Sequence, residues 1–203
     1  MLTSDRMINA ILAHRGPITA AQIVSSAQYE QHRDALLKWS LSLKAQRRIS
    51  VGSDFTLLFE NEATVWMQIQ EELRWVRQAS AERLRPILAE HNGLIAPRGE
   101  LRGCLFMHAS GAEAVSRYQR PGSLEALALR LHLCERVYVA RALEANIENI
   151  EPVTYLSFVL ANEASFGPDR LTWSSPTAGS TRVPLATSTA LQSEAGSPLA
   201  WAM

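Results

Sequence analysis

Ile49-Ser50-Val51-Gly52-Ser53-Asp54-Phe55-Thr56-Leu57-Leu58-Phe59-Glu60-Asn61 is the stretch on which the fold turns. Ile49 and Val51 alternate with polar residues, Gly52-Ser53-Asp54 supplies turn chemistry, and Phe55–Phe59 is a second apolar run. Two such runs separated by three residues predict a β-hairpin. Asn61 then stands where a helix N-cap belongs, with Glu62 in the first turn to complement the helix dipole. Val65, Ile69, Leu73 and Val76 follow at i, i+4, i+8 and i+11, one face of an α-helix, with Gln70, Glu71 and Arg74 mainly on the other side.

Outward from this unit, residues 5–14 read as a short helix stopped by Gly16-Pro17. Thr19 is placed to cap a second short helix, and a longer one is expected over 27–44. On the C-terminal side, 81–90 reads as a helix interrupted near Pro86 and ended by His91-Asn92-Gly93. Residues 101–108 have strand composition, 111–118 that of a short helix, and Ser123 is placed to cap a helix over 124–133. Two further strands are expected at 136–143 and 153–160. The sum is an α+β protein, with N-terminal helices, a hairpin–helix unit and a small, largely antiparallel sheet in the C-terminal half. The expected organisation is a mainly helical portion over 1–95 that includes the hairpin 48–59, forming one compact domain with an α+β portion over 96–170. From Leu171 onward Ser, Thr, Ala, Gly and Pro dominate, and 171–203 is read as a flexible tail whose Trp173, Leu185, Leu199 and Trp201 dock on a partner or on the domain itself.

Composition narrows the function classes. The 203 residues carry 20 Lys plus Arg against 20 Asp plus Glu, so no global field draws the protein to nucleic acid or to anionic lipid. Two cysteines are too few for a disulfide scaffold or a Cys-only metal centre. The apolar run at 7–13 is too short for a signal-peptide core or a membrane span, and the expected location is cytoplasmic.

None of the five histidines repeats at the i, i+4 spacing of helical metal ligands, and no H-E-x-x-H, C-x-x-C, G-x-S-x-G or Walker motif is present. Cys104 with His108, and His132 with Cys134, are the pairs nearest to ligand spacing, but zinc asks for four ligands, and buried core cysteine is the simpler reading. Lys38, Lys44, Arg47 and Arg48 lead into the hairpin, and Glu60, Glu62, Glu71 and Glu72 follow closely, a pattern that fits a solvated or internally paired face. Adjacent Glu71 and Glu72 point about 100° apart on a helix and do not clasp one atom, whereas Glu71 with Arg74 makes an i, i+3 pair. No catalytic residue, metal ligand set or cofactor is assigned, and a binding or accessory protein is the default.

Arg47-Arg48-Ile49-Ser50-Val51-Gly52, Thr56-Leu57-Leu58-Phe59-Glu60-Asn61, and Thr64-Val65 with Gln68-Ile69-Gln70-Glu71 recur as ordered blocks. They resemble a bacterial family of unknown function of about 200 residues, with RR-x-x-x-G, TLLFEN and T-V-x-x-Q-x-Q-E blocks, whose genes often sit beside those for rubrerythrin-like and iron–sulfur proteins. The likeness runs over about 18–160, and Asn92, Leu94 and Ile95 match a further N-x-L-I block. The sequence departs from the family in an extra helix before Pro17, in Arg74-Trp75-Val76-Arg77 where an E-R pair is usual, and in the C-terminal tail, where the family has a compact, His-Pro-containing end. In size and layout the chain is similar to the methanobactin biosynthesis protein C branch.

That resemblance implies a heterodimer. The chain would be the non-catalytic partner of an iron-dependent TIM-barrel oxygenase, presenting the leader of a ribosomal precursor peptide whose cysteines become a copper chelator. An extended leader asks for an open sheet edge. The strands at 136–143 and 153–160 are the candidates, with Arg136, Tyr138 and Arg141 as the residues that select an acidic peptide. The plainer reading makes both strands internal, with Val137 and Val139 in the core. Two other functions stay open: a stand-alone redox or stress accessory dependent on the Cys104 thiol, and a small enzyme with a pocket near His108 or Glu60. Neither nucleic acid nor membrane is an expected partner.

Overall fold

The computed structural model describes residues 3–76, 80–108, 112–133, 136–144, 148–160, 171–176, 179–182 and 191. The chain divides into two compact units, one built from Met1–Ala45 and Glu60–Ala96, the other from Gln46–Phe59 and Pro97–Pro198. The α+β class expected from the sequence holds. In this division the hairpin falls with the sheets, because its second strand pairs with a strand more than forty residues further on, a partnership that local periodicity does not carry.

The first unit is helical. Helices α1 (Ser4–Ala13), α2 (Ser26–Ala45), α3 (Glu62–Leu73) and α4 (Ala81–Asn92) are joined by short connections, with a 3-10 turn at Ala20–Gln22. The Asn61 cap is real: its side chain accepts from Thr64 N–H while Thr64 Oγ1 accepts from Asn61 N–H, closing a reciprocal box that fixes where α3 starts. Helix α3 packs against α1, α2 and α4. It is buried around most of its circumference, from Val65, Trp66 and Ile69 to Gln70, which lies inside rather than on the solvent side expected for it. Pro86 does not interrupt α4, which runs through it; the proline is exposed and forfeits a single backbone bond. No helix among the described residues is long and apolar enough to cross a membrane.

The second unit is two antiparallel sheets. Strands β1 (Arg48–Val51), β2 (Phe55–Phe59), β3 (Glu100–Met107), β6 (Arg141–Ala142) and β7 (Val153–Val159) form the first in the order β1-β2-β3-β7-β6. Strands β4 (Arg130–Leu133), β5 (Arg136–Val139), β8 (Leu171–Ser175) and β9 (Gly179–Arg182) form the second in the order β5-β4-β8-β9. Short helices α5 (Ala112–Tyr118) and α6 (Ser123–Leu127) connect them. The two sheets share one hydrophobic core, in which Leu57, Phe59, Leu105 and Phe158 of the first meet Leu131, Tyr138 and Trp173 of the second. The hairpin closes with Val51 opposite Phe55. At Gly103 a Cβ would stand 2.6 Å from the Leu58 carbonyl oxygen, so only glycine lets β2 and β3 approach at that point.

Two expectations are corrected. The helix expected over 124–133 ends at Leu127, where Ala128 takes φ 41° and ψ 47° and turns the chain into β4. Part of the expected tail is sheet: β8 pairs with β4, and Trp173 is buried in the core. Buried Trp173 and Ser175 give β8 an inward face that the Ser/Thr-rich composition conceals. Leu185, Leu199, Trp201 and Cys134 lie outside the described residues.

Candidate peptide-docking edge

The residues singled out for peptide binding fall on a corner of the second unit. The expected strand 136–143 is two strands: β5 ends at Val139, Ala140 donates its N–H to Leu129 O at 2.8 Å, and β6 begins at Arg141 in the other sheet. One run of backbone therefore borders both sheets. Within β5 the facing is opposite to the simplest reading. Tyr138 is buried at 7% exposure and belongs to the core, while Val137 and Val139 are 50% and 49% exposed. Leu131 decides this: it is fully buried and pairs directly with Tyr138, so its facing fixes that of β5. Tyr138 is thus not a surface selector. Arg136 and Arg141 are both exposed, but they sit on different sheets. The strand expected over 153–160 is no edge either, since β7 lies between β3 and β6.

β5 stands at the end of its sheet, so its far side has no ladder partner among the described residues. It also comes within contact range of β7, as it must where the chain crosses between sheets. The outward face beside β5 holds residues that the sequence did not single out for peptide binding. Arg130 pairs with Val139, and His132 with Val137. His132 Nε2 lies 2.6 Å from Ser174 Oγ on β8. At the Val139 end a cleft of about 670 Å3 opens, lined by Arg130, Val139, Ala140, Glu125, Glu148 and the left-handed Ala128. The sequence signal for Arg130 and His132 is their alternation with Leu131, which lies within the stretch 124–133 that reads as a helix.

The other flagged groups have structural partners. In the first unit Arg33 holds Glu71 in a two-pronged ion pair, Nε to Oε1 at 2.9 Å and Nη2 to Oε2 at 2.8 Å, and Tyr29 OH donates to the same Oε1 at 2.6 Å. Arg33 keeps the Glu71 carboxyl below the usual range, and burial followed by the Glu71 contact pushes the Tyr29 phenol up. Glu72 meets His91 at 2.6 Å, so Glu71 and Glu72 do part company as their spacing demands. In the second unit Tyr118 OH donates to Asp54 Oδ2 at 2.5 Å, lowering the carboxyl, and His108 Nε2 lies 2.8 Å from Thr56 Oγ1. Cys104 is buried at 3% exposure on β3, paired with Leu58 and Tyr155, and His108 is exposed. Among the described residues no group of three or more His, Cys, Asp or Glu is placed to hold a metal ion.

A solved structure from Burkholderia pseudomallei, described as a novel protein of unknown function, is similar to this chain with a TM-score of 0.75 and 18% identity, covering 87% of this chain and 98% of that one. At that identity the likeness concerns the fold. No curated protein matches the chain significantly. A family described as protein of unknown function (DUF3501) matches residues 17–166, the span that holds the paired-arginine, TLLFEN and glutamine-rich blocks. The chain belongs to the DUF3501 family.

Proposed function

We propose that this chain is a non-catalytic partner subunit that takes up an extended, acidic peptide along β5 by strand addition. The observation that carries the reading is the edge itself. β5 ends its sheet, presents Val137 and Val139 outward, and belongs to four strands that contain Arg130, His132, Arg136 and Arg182 but no Asp or Glu. Main-chain hydrogen bonds supply affinity in strand addition, and the flanking side chains supply choice. The basic strands favour an acidic occupant over a second copy of this chain, whose β5 would bring like charges together.

In its finer form, the peptide is the leader of a ribosomal precursor and the partner an iron-dependent TIM-barrel oxygenase that modifies the precursor's cysteines for copper chelation. The support is the similarity in size and layout to the methanobactin biosynthesis protein C branch. The competing reading, a stand-alone accessory of rubrerythrin-like proteins, asks for a reachable thiol at Cys104, and the burial of that residue counts against it.

A tagged chain drawn from its native cytoplasm, with iron assayed in the eluate, tests the proposal. The expected result is a stoichiometric iron-containing partner that is retained by Arg48→Gln on β1 and lost by Val137→Asp, which sets a like charge before an acidic peptide. A metal-free monomer with no partner overturns it.

A further inference from the structure

The hydrogen-bond phase of β5 decides which of its main-chain groups a docked segment meets. Ala140 N–H donates to Leu129 O, one rung beyond the register in which Arg130 faces Val139 and Leu131 faces Tyr138. In an antiparallel pair, rungs alternate between residues that exchange bonds and residues that do not. Leu129 with Ala140 is a bonded rung, so Leu131 with Tyr138 is one too, while Arg130 with Val139 and His132 with Val137 are not. The N–H and C=O groups of Val137 and Val139 therefore point away from β4, and no hydrogen bond to them is found among the described residues. This open stretch has a definite end, because the ladder with β7 begins at Arg141, opposite Ser157. Val137 and Val139 thus combine the outward main-chain groups of β5 with its half-exposed apolar side chains. Tyr138 between them directs its main-chain groups to β4 and its ring into the core.

We infer that β5 selects a segment with apolar, preferably β-branched, residues at two alternate positions, one facing Val137 and the other facing Val139. The inference rests on the strand-addition reading and deepens it by naming the pattern recognised. Added antiparallel, like every strand pair described, the segment exchanges main-chain bonds with Val137 and with Val139, about 7 Å apart. Directly opposed residues share a facing, so the two bonding residues of the segment lay their side chains beside the two valines. An apolar side chain there covers valine surface that water meets in the free chain, whereas a small polar one does not. The residues that bond and the residues that are chosen are then the same two. The acidic residues of the segment lie to either side of this pair.

Acetylated and amidated peptides with glutamates at both ends, bound to the full chain and read by fluorescence anisotropy, test the pattern. A valine–serine–valine centre is expected to bind about tenfold more tightly than a valine–valine–serine centre of the same composition and charge. Val137→Ser and Val139→Ser, both at half-exposed positions, are each expected to lower that ratio several-fold, and Arg48→Gln on β1 to keep it. Methylating the backbone nitrogens of the two peptide valines is expected to weaken binding at least tenfold, because those N–H groups face β5. Methylating the serine nitrogen between them is expected to change it little. Equal affinity of the two centres, with methylation still selective for the valines, overturns the apolar pattern and leaves strand addition standing. A serine nitrogen more sensitive than those of the valines reverses the phase assigned to β5 and overturns the pattern. Methylation that acts alike at every position, or at none, overturns strand addition and the pattern with it.

Discussion

Glu71 receives one phenol and two guanidinium groups, from Tyr29, Arg33 and Arg74, and so joins α2 to its own helix α3. Its carboxyl titrates below the ordinary value of 4.5 because Arg33 hydrogen-bonds the ionised form. A group depressed in the folded state contributes stability above its unfolded value and loses it as the pH falls through its folded one. Glu71→Gln is therefore expected to cost about 1 kcal/mol at neutral pH, the upper range for a partly exposed pair of good geometry. The gap between parent and variant in urea unfolding should narrow as the pH is lowered past 4.5 towards the folded value. A gap of equal size at strongly acid pH would exclude the ion pair as its origin. Ala128 offers the opposite case. Its left-handed backbone carries a Cβ penalty of roughly 1–2 kcal/mol, partly offset by the entropy that glycine adds to the unfolded chain. Ala128→Gly should raise stability by about 0.5–1 kcal/mol, read as an upward shift of the thermal midpoint.

At the scale of the element, β5 shows what the sequence displayed and what it withheld. The hairpin and α3 were legible because their signals are local: a turn tripeptide between apolar runs, an asparagine cap and a repeat at helical spacing. In Arg136-Val137-Tyr138-Val139, both phases of the alternation put apolar residues on a face, so the strand itself does not say which is inside. The partner strand says so, through Leu131, and that pairing is set by tertiary contacts. Tyr138→Ala should cost about 3 kcal/mol, whereas Val137→Ala should stay within about 0.5 kcal/mol in the same unfolding measurement. The reverse order would restore the simpler facing. The crossing at Ala140 was hidden for a related reason: 136–143 reads as one continuous strand, and only the ladders show that its two halves serve different sheets. β8 was concealed by composition, since a strand with one inward tryptophan among serines and threonines resembles a polar linker until its partners are known.

For the whole molecule, charge balance conceals a local imbalance. Twenty basic and twenty acidic residues give a pI near 7.0, yet the strands of the second sheet carry no acid. An acidic partner of the kind proposed would therefore be steered by one face and not by net charge, with that steering screened over the dimensions of the face. Between ~0.01 and ~0.1 M salt the screening length falls from ~30 to ~10 Å. The association rate of an acidic peptide should fall several-fold across that range while its dissociation rate changes little. Equal loss in both rates would place the charges within the docked contact itself. The close approach at Gly103 has a consequence on another axis. β3 is laddered on both sides, to β2 and to β7, and no side chain at Gly103 holds the β2 backbone away. Its amides should be the last in the second unit to exchange with deuterated solvent, opening only when the whole unit unfolds. Those on the outer side of β5, which ends its sheet among the described residues, should exchange orders of magnitude sooner. A ligand seated there would first announce itself as a slowing of that early phase, with the slow clock of β3 left unchanged.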